Sequence, residues 1–289
     1  MVTRFEFRTT LMDIRDSYAW KTTASRQNCP LLPRNIRGLI IGKSNCGKTT
    51  LLLNLLLQPG WLDYNHLYVF GKSLHKKEYQ ILKKGFEEQL SKRQITNLFC
   101  QQDVLAKANL SPLDVITDYN GIKEGGIKAE FFNDCGSIPD PRDLKESENN
   151  LLILDDCFLG KQSKAEAYYT RGRHNNCDIL YISQNYFRLP RHTIRENANF
   201  IILFPQDAKN LAHIHADHCN DITKDEFKEL CSKTWATKHN FVTIDLTSSK
   251  LNGKYRRNLD SFYLPGIKSN DSANLFISPL ASKEKDGFY

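Results

Sequence analysis

Short apolar runs recur along this chain, each set between charged or polar stretches. Leu39-Ile40-Ile41, HLYVF at 66–70, LLIL at 151–154, DILYIS at 178–183 and NFIILF at 199–204 are the clearest. An unbroken apolar run too short for a helix marks a strand covered on both faces, as in a parallel sheet. Helical patterns fill the intervals over 48–57, 76–93, about 161–171, 207–217 and 223–236, and Pro59-Gly60 closes the first of them. Asn97-Leu98-Phe99-Cys100 reads as a further short run and 240–246 as a last strand. Residues 118–149 hold Gly121, Gly125-Gly126, Pro139 and Pro141 among many charges, and read as a loop or hairpin insertion. The alternation predicts an α/β protein: a mostly parallel central sheet with helices on both faces. The expected organisation is an N-terminal extension over 1–36, one α/β domain over 37–264, and a polar, flexible tail over 265–289.

The first strand leads into GKSNCGKTT at 42–50. Glycine, four residues, then Gly-Lys-Thr is the spacing that lets backbone N–H groups turn inward around a phosphate chain, because glycine tolerates left-handed conformations. Gly42, Lys43, Ser44, Asn45, Cys46, Gly47, Lys48, Thr49 and Thr50 are therefore the candidate nucleotide-binding residues. Lys48 supplies a cation to the β and γ phosphates, and the Thr49 hydroxyl is placed for Mg²⁺. The following helix aims its positive end at the same anion. Lys43 reads as a solvated or phosphate-adjacent charge.

A strand ending in acid is the expected partner of such a loop, and LLILDDC supplies it. Asp155 is placed to hold Mg²⁺ through water, and Asp156 to orient or deprotonate an attacking water. The next strand ends in Ser183-Gln184, and a polar amide at that tip is placed to sense the γ-phosphate. The guanine-specifying sequence Asn-Lys-x-Asp occurs nowhere in the chain, which favours ATP over GTP. These motifs together predict a P-loop NTPase of the hydrolytic, motor type.

Composition sets limits on partners. The 289 residues are 40% hydrophobic and 25% charged, as in a globular protein with a self-sufficient core. The net charge of +7 is compatible with a polyanionic partner without requiring one. Eight cysteines include no CxxC pair, which predicts reduced thiols in a cytosol-like compartment. The N-terminus is charged throughout, unlike a signal peptide, and no apolar run approaches the length needed to cross a bilayer, so a soluble intracellular protein with no membrane partner is expected. His213, His215, His218 and Cys219 match no closed four-ligand zinc spacing. Lys250, Lys254, Arg256 and Arg257, with Tyr255 between them, fit either a DNA-backbone contact or a solvated hairpin.

The block RGRHNNCDILYISQNYFRLPRHTIRENANFIILF at 171–204 resembles the matching region of virus-type DNA-packaging ATPases of the FtsK–HerA superfamily, from poxviruses, virophages and Polinton elements. The shared pattern is a basic Gly-Arg-His stretch, a strand ending Ser-Gln, an aromatic-Leu-Pro turn, and an Arg-x-Asn-like helix before an apolar strand. Matches continue to GKSNCGKTT, LLILDDC and DEFKELCSKTWATKHNFVTIDL, so the likeness covers roughly 37–264. It departs at Ser44-Asn45-Cys46, where many relatives carry smaller residues or glycine. The resemblance implies ATP hydrolysis with Mg²⁺, a homo-oligomeric ring, double-stranded DNA as the translocated polymer and capsid proteins as possible partners, at a host-cell assembly site or in a virion. It also implicates Lys48, Thr49, Asp155, Asp156 and Gln184 in turnover. Ring motors need a cation from the neighbouring subunit, and the candidates are Arg195, Arg173 and Arg171, with Arg195 favoured. A P-loop helicase, an AAA-type remodeller and a nucleotide-dependent switch without steady turnover share the same motifs and stand as alternatives.

Overall fold

The computed structural model describes residues 26–119, 121–157, 162–265 and 276–277. Most of the tail expected over 265–289, and the first part of the N-terminal extension, lie outside them. In chain order the elements are β1 (Arg37–Ile41), α1 (Lys48–Leu57), β2 (His66–Gly71), α2 (Lys77–Glu87), α3 (Lys92–Cys100), α4 (Gln102–Lys107), α5 (Pro112–Thr117), β3 (Lys128–Phe132) and β4 (Asn150–Asp155). There follow α6 (Ser163–Arg171), β5 (Cys177–Ser183), β6 (Phe200–Leu203), α7 (Ala208–His218), α8 (Lys224–Trp235), β7 (Val242–Asp245), β8 (Tyr255–Arg257), β9 (Ser261–Tyr263) and β10 (Phe276–Ile277).

All these strands form one sheet in the order β10-β9-β8-β7-β6-β1-β5-β4-β2-β3. The block from β6 to β3 is parallel throughout, while β7, β8, β9 and β10 extend it antiparallel. The apolar runs of the sequence are the central strands, and their alternate residues divide between two cores. Ile40, Ile153, Leu180 and Ile182 point to one face, where α1, α2 and α3 pack. Leu39, Ile41, Leu152, Leu154, Ile179 and Tyr181 point to the other, under α6, α7 and α8. This two-sided burial is why these strands read as unbroken apolar runs rather than as alternating ones.

Helix α1 is apolar almost all round because the sheet covers one side and α3 another. Leu52 and Leu56 retain no exposed surface, which is worth roughly 1.5–3 kcal/mol each. The helix expected over 76–93 is shorter: α2 stops at Glu87, Gln89 turns left-handed at φ 59°, and Ser91 begins α3 with a capping box closed by Gln94. That capped helix absorbs Asn97–Cys100, whose apolar residues sit at helical spacing with Ile95 and Leu98 buried. Within 118–149 the chain forms β3, an edge strand parallel to β2 rather than half of a hairpin.

The expectation that all thiols are reduced is corrected at one pair. Cys135, just after β3, and Cys157, just after β4, are joined in a disulfide with Cα atoms 5.9 Å apart. Parallel strands end at the same edge of the sheet, so the turns that follow these two are brought together. Cys29, Cys46, Cys100, Cys177, Cys219 and Cys231 are free thiols. No helix among the described residues is long and apolar enough to cross a membrane.

Candidate nucleotide site

Parallel strands deliver their C-terminal ends to one edge of the sheet, and the site is built there. Three backbone hydrogen bonds lock the strand tips together: Gly42 N–H to Ser183 O at 3.0 Å, Phe204 N–H to Ile41 O at 2.9 Å, and Asp156 N–H to Ile182 O at 3.0 Å. The loop from Gly42 to Gly47 leaves β1 at this edge. A Cβ on Gly42 would stand 2.5 Å from Cys46 Sγ and 2.7 Å from Phe204 Cβ, so only glycine fits. Gly47 takes φ 111° just before α1, a conformation costly for any other residue. Burial pushes the Cys46 thiol up, against the pull of the nearby Lys48 ammonium.

A cavity of about 880 Å³ opens beside the loop. Ser44, Asn45, Gly47, Lys48, Thr49 and Thr50 line it, and Asp155, Asp156 and Gln184 face it from the neighbouring strands. Lys48 Nζ donates to the carbonyls of Gly42 and Lys43, each at 2.6 Å, so its ammonium curls back over the loop. Asp156 is left-handed at φ 55°, a strained state of the kind kept where surrounding structure imposes it. Its Oδ2 accepts from Gln184 Nε2 at 2.9 Å, and Gln184 Oε1 accepts from Ser44 Oγ at 3.2 Å. One relay thus joins the phosphate loop, the tip of β5 and the acid after β4.

Asp155 is nearly buried and accepts from the Tyr79 hydroxyl at 2.7 Å. Burial raises its carboxyl above the usual range, while the Tyr79 hydrogen bond and the Lys76 charge pull it back. Thr49 and Asp155 offer hard oxygen donors to the same cavity, the ligand chemistry that suits Mg²⁺. Tyr79, Lys76, Phe204, His239 and Phe241 also belong to the site or to its support; the last three lie within stretches that carry the resemblance, but nothing in the sequence marked any of the five for the site.

The arginine candidates separate. Arg195 is 5% exposed in a π-helical turn over Arg191–Arg195, with its NH1 3.2 Å from Asp217 Oδ2 and its guanidinium 4.9 Å above the Tyr186 ring. It does not line the cavity. Arg171 is exposed in the last turn of α6, and the Arg173 side chain lies outside what the structure describes. Two of the histidines set aside as zinc ligands are engaged elsewhere. His215 bonds the Ile222 carbonyl at 2.9 Å and His218 the Tyr186 hydroxyl at 2.8 Å. The basic run after 250 forms no open patch: Arg256 is buried against Asp245, and Lys254 pairs with Asp221 at 2.7 Å.

The sheet order, the glycine loop and the acid pair define the P-loop NTPase fold. No protein-family model and no curated protein matches the chain. Among solved structures it is similar to the genome packaging NTPase B204 from Sulfolobus turreted icosahedral virus 2 in complex with AMPPCP, at 12% identity and TM-score 0.47, covering 78% of this chain and 98% of that one. The DNA-packaging ATPase B204 from Sulfolobus turreted icosahedral virus is similar at 12% identity and TM-score 0.45, over the same shares of each chain. VirB4 of Thermoanaerobacter pseudethanolicus is similar at 14% identity and TM-score 0.42, covering 75% of this chain and 88% of that one.

Proposed function

We propose that this chain hydrolyses ATP and works as a homo-oligomeric ring that drives double-stranded DNA into a capsid. The observation that carries the hydrolytic part is the relay from Ser44 through Gln184 to Asp156, set beside Lys48 at one cavity. The DNA and capsid parts rest on the sequence resemblance over 171–204, with the chain's positive charge in keeping with a polyanionic partner.

In this reading Lys48 exchanges its loop carbonyls for phosphate oxygens. Thr49 and Asp155 would hold Mg²⁺, which would neutralise charge on the phosphates, and Tyr79 fixes the Asp155 carboxylate. Asp156 takes the proton of the attacking water, and Gln184 holds that carboxylate in place while reporting on the γ-phosphate. The cation from the neighbouring subunit falls to Arg171 or Arg173, because Arg195 would have to leave a buried pair to act in trans.

The test is ATP turnover by the purified chain with and without duplex DNA, alongside sedimentation across a concentration series. Turnover that rises with DNA and with assembly supports the reading. Full-rate hydrolysis by a chain that stays monomeric on DNA would sink the ring, and absence of hydrolysis in any assembly state would sink the enzyme.

A further inference from the structure

Beyond Ser44 on the loop itself, the relay groups lie on one side of β1. In the sheet order β5 and β4 stand on that side, carrying Gln184, Asp155 and Asp156 at their tips, while β6 and β7 stand on the other. A nucleotide lying across the loop with its terminal phosphate at the relay would carry its base to the β6–β7 side, where three aromatic rings line the cavity. Phe204 directly follows β6 and Phe241 directly precedes β7, and the antiparallel register sets Val242 opposite Leu203. The two phenylalanine rings meet with centroids 5.4 Å apart at 50°. Both are buried, and Phe204 underlies the loop, since a Cβ on Gly47 would touch its Cε1 at 3.4 Å.

His239 completes the wall and is exposed. Its backbone is left-handed at φ 67°, a state histidine adopts more readily than most side chains, and it turns the ring towards the loop. Its Nδ1 lies 3.3 Å from the Cys46 carbonyl oxygen, and that contact makes Nδ1 the protonated nitrogen, donating to the phosphate loop itself. An exposed ring that lines the cavity and reaches across to the loop fits ligand contact better than packing.

We propose that His239, over a floor of Phe204 and Phe241, forms the nucleobase subsite, taking the base by stacking. This deepens the reading of 42–50 as a phosphate site and rests on it. Stacking on an aromatic face tolerates different bases but separates a nucleotide from a bare phosphate chain.

The experiment compares calorimetric titration of ATP with that of inorganic tripolyphosphate, both with Mg²⁺, into the full chain and into His239→Asn. Asparagine accepts the left-handed backbone, so the substitution removes the ring without disturbing the turn. In the unaltered chain ATP binds more tightly than tripolyphosphate. His239→Asn weakens ATP about tenfold and leaves tripolyphosphate within about twofold, as loss of one stacking partner predicts. Equal affinity of the two ligands for the unaltered chain overturns the subsite and leaves the phosphate loop standing. So does a His239→Asn chain that binds ATP as before, or that loses both ligands equally. Failure of the unaltered chain to bind either ligand overturns the phosphate-site reading, and the subsite with it.

Discussion

Gln184 and Asp156 sit at the tips of adjacent parallel strands, and the amide of the first donates to the carboxylate of the second at 2.9 Å. The acid's left-handed backbone makes that bond informative. Asp156 takes a conformation open to few side chains besides aspartate, asparagine and histidine, and the Gln184 amide fixes its carboxylate there. Removing the amide as Gln184→Ala is expected to keep ATP affinity within a few-fold, because Lys48 and Thr49 remain, while DNA-stimulated turnover falls. Unchanged DNA stimulation in the variant would reduce Gln184 to a structural amide.

Asp156→Asn keeps the size of the side chain and removes the base. Hydrolysis should slow by roughly 10²-fold or more, with nucleotide binding retained. Lys48→Ala, by contrast, should abolish binding itself. Measuring affinity and turnover in parallel separates these roles, and wild-type turnover by Asp156→Asn would show that another group takes the proton.

Tyr79→Phe deletes only the hydroxyl that donates to Asp155. A buried hydrogen bond to a charged acceptor is worth roughly 1.5–3 kcal/mol, so unfolding should come at lower denaturant. The Mg²⁺ concentration that half-saturates nucleotide binding should rise several-fold, because the carboxylate is no longer held in one orientation. An unaltered Mg²⁺ requirement would confine Tyr79 to packing.

Arg195→Ala and Arg171→Ala should fail in different ways. The first takes from Asp217 its nearer, buried cation, leaving Arg191 at 3.9 Å and the Tyr186 hydroxyl, and should lower stability measurably. The second removes an exposed charge and should leave thermal stability nearly unchanged while lowering turnover in assembled rings. Mixing Arg171→Ala chains with Lys48→Ala chains then restores part of the activity, since some interfaces pair an intact loop with an intact arginine. Co-assembled rings that stay inactive would move the trans role to Arg173.

His218 gives the fold a pH dependence of definite sign. Burial lowers its pKa from 6.5 to about 4, so between those values the unfolded chain holds the extra proton. Stability should be full above pH 6.5 and decline as pH falls towards 4. His218→Gln should flatten the slope of urea-derived stability over that window, and an identical slope in both proteins would assign it to other groups.

How much of this could be read from the sequence follows the range of each interaction. The phosphate loop, the acid pair and Gln184 were legible because each depends on a local strand-end pattern. Tyr79 was not, because its partner Asp155 lies 76 positions away and a tyrosine in a charged helix carries no mark of that contact. His239 reaches a loop carbonyl 193 positions distant, across an antiparallel crossing that the apolar runs do not encode. Arg195 read as an available cation because nothing near it announces Asp217. β3 was missed for another reason: an edge strand buries too little of KAEFF to leave an unbroken apolar run.

The curl of Lys48 onto Gly42 and Lys43 makes nucleotide capture an exchange of partners rather than the filling of a bare charge. Part of the ammonium's water is already gone before a phosphate arrives, and two carbonyls hold the place of its oxygens. When product leaves, the same two carbonyls are in place to take the ammonium back, so the emptied loop has its resting partners at hand.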